Sequence, residues 1–113
     1  MVRRGEIYWV DFGVPIGSEQ GGRRPALIVQ NDTGNMYSPT TIVAAITSKQ
    51  RQEYPFHVGI TAEESGLPQD STILLEQLQT INQDRLISKA GSLSSAKMRQ
   101  VDEALRVSLG LSP

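Results

Sequence analysis

GEIYWVDF (residues 5–12) is a largely apolar and aromatic run in which every second side chain shares a side. Ile7 and Trp9 fall on one side and Tyr8, Val10 and Phe12 on the other, which predicts a strand rich in β-formers. GVPIGSEQGGRR (13–24) is punctuated by glycine and proline and predicts a long loop. ALIVQ (26–30) is a short apolar run that reads as a central strand, and TIVAAITS (41–48) reads as a second, with NDTGNMYSPT (31–40) as the loop between them. FHVGI (56–60) is a shorter strand after Pro55, and TAEESGLPQD (61–70) a turn region. STILLEQLQTI (71–81) is long enough for a strand with a bend, and β-branched residues at both ends favour strand over helix. NQDRLISKAGSL (82–93) predicts a turn, with one turn of 3₁₀ helix, leading into a last short strand.

The period changes at Ser94. In SSAKMRQVDEALRVSLG the apolar residues Met98, Val101, Leu105 and Leu109 recur at helical spacing. Ser94 suits the N-cap, Leu93 can staple onto Met98 across it, and Gly110 supplies the stop. Lys97 stands where a capping box would need Glu or Gln, so that device is absent. Five or six short strands and one terminal helix predict a mostly β (α+β) fold. The expected form is a small, strongly bent antiparallel sheet closing into a half-barrel with the helix packed against it.

Composition narrows the chemistry. The 113 residues predict one domain over 1–113, with 38% hydrophobic and 20% charged residues, ordinary values for a globular protein. No cysteine is present, which excludes disulfides and thiolate nucleophiles and fits a reducing compartment. MVRRGEIYWVDF reaches Glu6 and Asp11 before a signal-peptide core forms, and no stretch has the length of a membrane helix, so a cytoplasmic protein without membrane attachment is expected. A net charge of −1 argues against a generic nucleic-acid coat. The single histidine, His57, excludes a two-histidine acid–base pair within one chain and disfavours a histidine metal site; no metal or other cofactor is expected. GSEQGG lacks the GK[ST] ending of a phosphate-cradling loop. Glu63–Glu64 and Asp102–Glu103 read as solvated charge.

What remains is a set of polar groups around GSEQGGRRP: Glu19, Arg23, Arg24, Thr47, Ser48, and the pair Glu76–Gln77. If ALIVQ and TIVAAITS are antiparallel neighbours, Arg24 and Thr47 meet at one rim. A guanidinium fork and a hydroxyl aimed at one phosphate would stabilise the extra charge of a phosphoryl-transfer transition state. The plainer alternative makes Arg24 one half of a salt bridge at a strand end and Thr47 an ordinary β-former.

GEIYWVDF, then GSEQGGRRPALIVQND, IVAAIT and LLEQLQTI together resemble the MazF/PemK-type toxins of bacterial type II toxin–antitoxin systems. The resemblance covers nearly the whole chain and is most specific in GSEQGGRRP. It implies a Src-homology-3-like plasmid-toxin barrel, a homodimer, and a metal-independent, sequence-specific endoribonuclease acting on single-stranded mRNA. Cleavage would use the RNA's own 2′-hydroxyl. On this resemblance Arg24 and Thr47 match the catalytic arginine and threonine, with Arg24 as phosphate clamp. Glu19 is either the base or the group that orients Arg24. Arg23 occupies the motif's variable position and reads as an auxiliary RNA contact or a solvated charge.

Base reading would fall to Ser18, Gln20, Asn31 and Glu76–Gln77, whose mixed donors and acceptors suit base edges, and to Tyr54 and Phe56 as stacking surfaces. The plain alternative for the two rings is a core or dimer contact beside a turn. Trp9 reads as core, and His57 as a satisfied surface or edge residue. The resemblance also implies an acidic antitoxin tail competing for the RNA groove, with DNA contacted only through that partner. Two other functions stay open on sequence: a gyrase-poisoning toxin of the same fold, and a barrel binding module without catalysis.

Overall fold

The alternation in the first strand is what the two apolar clusters of the structure record. Ile7 is buried with Leu27, Ala44, Ile46, Ile73 and Leu75, with Trp9 packed against them, while Val10 is buried with Ala26, Ile28, Val43 and Ile81, flanked by Tyr8 and Phe12. The computed structural model describes residues 1–14, 21–49 and 53–112. Its strands are β1 (Glu6–Asp11), β2 (Arg23–Ile28), β3 (Thr40–Thr47), β4 (His57–Ile60), β5 (Ser71–Asn82) and β6 (Leu86–Ser92). All neighbours pair antiparallel in the order β4-β5-β3-β2-β1-β6, and the sheet curls into a half-barrel. The predicted bend lies in β5. Partners of β3 jump from Leu78 opposite Ala44 to Leu74 opposite Ala45, so Leu75, Glu76 and Gln77 form a bulge.

Two loops of the sequence reading hold short helices instead. α1 (Asp32–Tyr37) starts where the Asn31 carboxamide oxygen accepts from Gly34 N at 2.7 Å. Behind it, the buried Asn35 Oδ1 accepts from Gln30 Nε2 and Thr41 Oγ1 at 3.0 and 2.7 Å, a network that pattern reading does not see. α2 (Ala62–Ser65) carries a complete capping box between Thr61 and Glu64. The Thr61 N–H donated to Glu64 holds that carboxyl below its ordinary value. The cap's contribution is therefore present at neutral pH and fades as pH falls through the lowered value. The 3₁₀ turn (Gln83–Arg85) and β6 follow as predicted.

Helix α3 (Ser95–Leu109) is capped by Ser94, which accepts from Lys97 N, and stopped by Gly110 in the left-handed region. Val101 and Ala104 are buried against the sheet with Met98 and Leu105 beside them, and Leu93 joins the same cluster, as the staple requires. Leu109 is 55% exposed, so the buried stripe ends a turn earlier than its spacing predicts. Arg4 ties three elements together. Its N–H donates to Asp32, its Nε to Val29 O and its guanidinium to Asp102, at 2.7, 2.8 and 2.7 Å. Asp102, expected to be solvated charge, is thus half of an ion pair.

The α2 turn docks on β6 backbone to backbone. A Cβ on Gly66 would lie 2.0 Å from Ala90 O, and the Gly66 φ of +79° is one that L side chains rarely adopt. Gly66→Ala is therefore expected to destabilise by about 2–5 kcal/mol through left-handed strain and overpacking. Gly59→Ala, where a Cβ meets nothing within 4 Å, is expected to stay within about 0.5 kcal/mol. Thermal unfolding of the two variants by circular dichroism checks the contrast.

Candidate functional site

Strand β2 begins earlier than the sequence suggests, and that shift carries the site. Arg23 and Arg24 pair with Asp11 and Val10 of β1, so both arginines belong to the strand and not to the loop before it. The mouth of the β1–β2 connection is pinned by Phe12 N donating to Gly22 O at 2.9 Å and Gly22 N donating to Gly13 O at 2.7 Å. Pro25 has no N–H to give a ladder, and pairing of β2 with β3 is seen from Ala26 opposite Ala45 onward. Continuing that register by two residues sets Arg24 across from Thr47, at an unzipped end of the strand pair.

Both residues line one cleft of about 430 Å³, together with Arg23, Lys49, Trp9 and the Leu67–Gln69 segment. Its described lining holds three cations and no carboxylate. Arg24 is exposed, and its Nε donates to Gly21 O at 3.0 Å, which holds the side chain at the loop mouth. Among the described residues the ion pairs are Arg4–Asp102, His57–Glu76, Lys89–Glu6 and Lys97–Glu64, none of which engages Arg23, Arg24 or Lys49. Thr47 is 8% exposed, and its Oγ1 accepts from Lys49 N at 3.2 Å, which leaves the hydroxyl proton available to donate. The cleft is therefore a donor site suited to an anion.

A second cleft, of about 700 Å³, adjoins the first and shares Ser48, Lys49 and Ser71 with it. It runs past Tyr54, His57 and Gly59 to Glu103 on α3. The Tyr54 and Phe56 rings stack, with centroids 5.1 Å apart and planes 4° from parallel, and both meet the His57 ring edge-on. His57 Nε2 lies 3.0 Å from Glu76 Oε2 on the β5 bulge. A carboxylate only accepts, so Nε2 carries the ring proton.

The candidates from sequence thus separate. Arg23, Arg24 and Thr47 come together in the first cleft; Tyr54 lines the second, Phe56 stacks on it, and Glu76 reaches it through His57. Gln77 follows Glu76 on the bulge. Asn31 lines neither cleft and uses its side-chain oxygen as the α1 cap. Ser18, Glu19 and Gln20 lie outside the described residues. Sequence reasoning missed Lys49, Ser71 and Leu67–Gln69, which reach the clefts only through tertiary folding, and it underrated His57. The aromatic neighbours in YPFH were the available signal for that ring. Among the described residues no three of His, Cys, Asp and Glu gather as a metal-holding group, and no helix is long and apolar enough to cross a membrane.

Removing the His57 acceptor is expected to release the ring. In Glu76→Ala the imidazole should change from the Nε2–H form to a mixture of tautomers, read from ¹⁵N side-chain spectra. The accompanying loss of stability is expected to be about 1 kcal/mol, because the pair is partly solvated.

Known proteins were compared against this geometry. The family of PemK-like, MazF-like toxins of type II toxin–antitoxin systems matches residues 3–109. Endoribonuclease EndoA of Bacillus subtilis (strain 168) is 51% identical over 112 residues, 98% of this chain and 97% of that protein. Among solved structures, an endoribonuclease in complex with its cognate antitoxin from a mycobacterial species superposes with a TM-score of 0.84 at 25% identity, covering 100% of this chain and 99% of that one. A MazE–MazF complex from Deinococcus radiodurans gives 0.77 at 26% identity, over 98% and 97% of the two chains.

Proposed function

The chain belongs to the PemK-like, MazF-like toxin family of type II toxin–antitoxin systems, and on that footing we propose that it is an endoribonuclease which cuts single-stranded mRNA at particular sequences. The observation that carries this reading is the register of β2 against β3, which, continued by two residues, sets Arg24 opposite Thr47 in a cleft whose described lining has three cations and no carboxylate. The endoribonuclease named among its relatives, half identical over almost the full length, supports the same activity.

The chemistry assigned to the cleft needs no metal. The RNA 2′-oxygen attacks the adjacent phosphorus, the 2′-O–P bond forms and the P–O5′ bond breaks. The products are a 2′,3′-cyclic phosphate and a 5′-hydroxyl. One proton leaves the 2′-hydroxyl and one arrives on O5′. Arg24 clamps the phosphate and neutralises the phosphorane, because its fork of donors matches the non-bridging oxygens and its charge is permanent. An arginine yields its proton very reluctantly, so the base role falls elsewhere, with Glu19 the candidate for it or for orienting Arg24. Thr47 adds a hydroxyl donor from the opposite strand. Arg23 and the residues Ser18, Gln20, Asn31, Tyr54, Phe56, Glu76 and Gln77 are assigned to holding and reading the RNA. Asn31 would do so through its carboxamide NH₂, since its side-chain oxygen caps α1.

The protein acts as a homodimer in the cytoplasm. It is silenced by an antitoxin whose acidic segment competes with RNA for the cations of the first cleft. Two relatives solved with antitoxins bound support such a partner; DNA is met only through it.

The test is digestion of a mixed single-stranded RNA by purified protein in EDTA, with mapping of the new ends. Discrete cuts bearing 5′-hydroxyls are expected. Arg24→Ala should slow cleavage by about 10²–10³-fold, the scale of one lost transition-state donor, while circular dichroism stays unchanged because Arg24 is exposed. Thr47→Val should slow it by about 10-fold or more. Intact RNA with stalled gyrase would point to a gyrase poison, and intact RNA without it to a binding module; either result ends the ribonuclease reading.

A further inference from the structure

The cleavage chemistry leaves one proton without a donor. When the P–O5′ bond breaks, O5′ departs as an alkoxide, a base too strong to leave readily unless it is protonated as it goes. The side chains placed to supply that proton are those lining the first cleft. Among its described residues the donors are two arginines, one lysine, three hydroxyls, one carboxamide and one indole N–H. No histidine and no carboxyl group stands in that lining. Hydroxyls, amides and indoles keep their protons at neutral pH, and a guanidinium keeps its own more firmly still. A lysine ammonium is a stronger acid than every other side-chain type in the set.

The backbone puts that lysine in the right place. Lys49 N donates to Thr47 Oγ1 at 3.2 Å, so the chain turns back over the threonine as soon as β3 ends. Held there, Lys49 carries its ammonium on a flexible four-carbon stem, within reach of a phosphate bound at the Thr47 hydroxyl. Lys49 is exposed, and none of the ion pairs among the described residues engages it. Water can therefore reload it after each cut.

We propose that Lys49 is the general acid of the cleavage, giving its Nζ proton to O5′ as the P–O5′ bond breaks. The 2′-O–P bond forms in the same displacement. The fragment with the 5′-hydroxyl leaves as a neutral alcohol, and the Lys49 amine recovers a proton from water. This rests on the ribonuclease reading above. It separates two of the cleft's cations by role: Arg24 keeps its proton and holds the phosphate, while Lys49 parts with one. Lys49→Arg would keep the charge without a ready proton.

Sulfur in place of O5′ at the scissile linkage tests the assignment. A thiolate is a far weaker base than an alkoxide and leaves without help from an acid. The probes are two single-stranded oligoribonucleotides of one sequence that the protein cuts, identical except for O5′ or S5′ at the cut. At saturating RNA, Lys49→Gln is expected to slow the oxygen substrate about 10²-fold or more, and the sulfur substrate by less than about threefold. Lys49→Arg should stay about tenfold slow or worse on oxygen. Arg24→Ala, which removes the clamp, should slow both substrates to a similar degree. Circular dichroism confirms that the Lys49 variants are folded. Rates unchanged or equally reduced on the two substrates in Lys49→Gln, full activity of Lys49→Arg, or a change in KM alone would each overturn the assignment while the ribonuclease reading stands. RNA left whole by the unaltered chain would overturn that reading and this proposal with it.

Discussion

The antiparallel register between β2 and β3 is the constraint on which the site depends. Ala26 opposite Ala45 and Ile28 opposite Val43 are fully or nearly buried on one face, and Leu27 opposite Ala44 is buried on the other. A slip of one residue would turn every one of these side chains to the wrong face, so the hydrophobic core itself fixes which residue of β2 faces which of β3. Arg24 and Thr47 inherit that precision without contributing to it. Pro25 then ends the ladder, because it has no N–H to continue it. The strands can splay where a ligand enters while the paired residues behind remain rigid. A cation and a hydroxyl held on strand ends are placed more accurately than the same groups on a loop.

Around that rim the molecule divides charge between two neighbouring hollows. Lys49 and Ser48 follow directly on β3, so the element that delivers Thr47 also supplies the wall between the clefts. On one side the lining is cationic, and on the other it is acidic around a buried imidazole. A net charge of −1 hides this arrangement, because a total cannot report a boundary. Three of the twelve acidic residues, Glu53, Asp70 and Glu103, line the second cleft.

Much of this was legible in the pattern of residues, and the rest was not for identifiable reasons. Period-two alternation separated Ile7 and Trp9 from Tyr8, Val10 and Phe12 because each face of the curled sheet has its own cluster to fill. The terminal helix announced itself through Ser94, the staple and Gly110. α1 and α2 were hidden because each is only four to six residues long, too short to display a helical period, and their polar caps look like turn residues. The early start of β2 was obscured by Pro25 and the two glycines before it, which are loop signals in isolation. Pairing with β1 outweighs them. Arg24 and Thr47 could be brought together from sequence since they follow from strand adjacency alone. Lys49 and Ser71 could not, because they meet only once β5 has crossed beside β3.

His57 shows how a lone residue can be misjudged by frequency. A single histidine beside a turn is usually a satisfied edge residue, and half of that description holds here: Nε2 has Glu76. The other nitrogen is buried and has no hydrogen-bond partner among the described residues. The β5 bulge explains the first of these facts. By putting Glu76 out of the regular ladder it delivers a carboxylate to Nε2, and the same irregular segment binds the aromatic turn, with Leu75 N donating to Phe56 O at 3.0 Å. A regular strand would have paired Leu75 through Gln77 with β3 and left no carboxylate for the ring. The bulge is therefore the device that brings a carboxylate to His57, just as Pro25 is the device that ends the β2–β3 ladder at the first cleft.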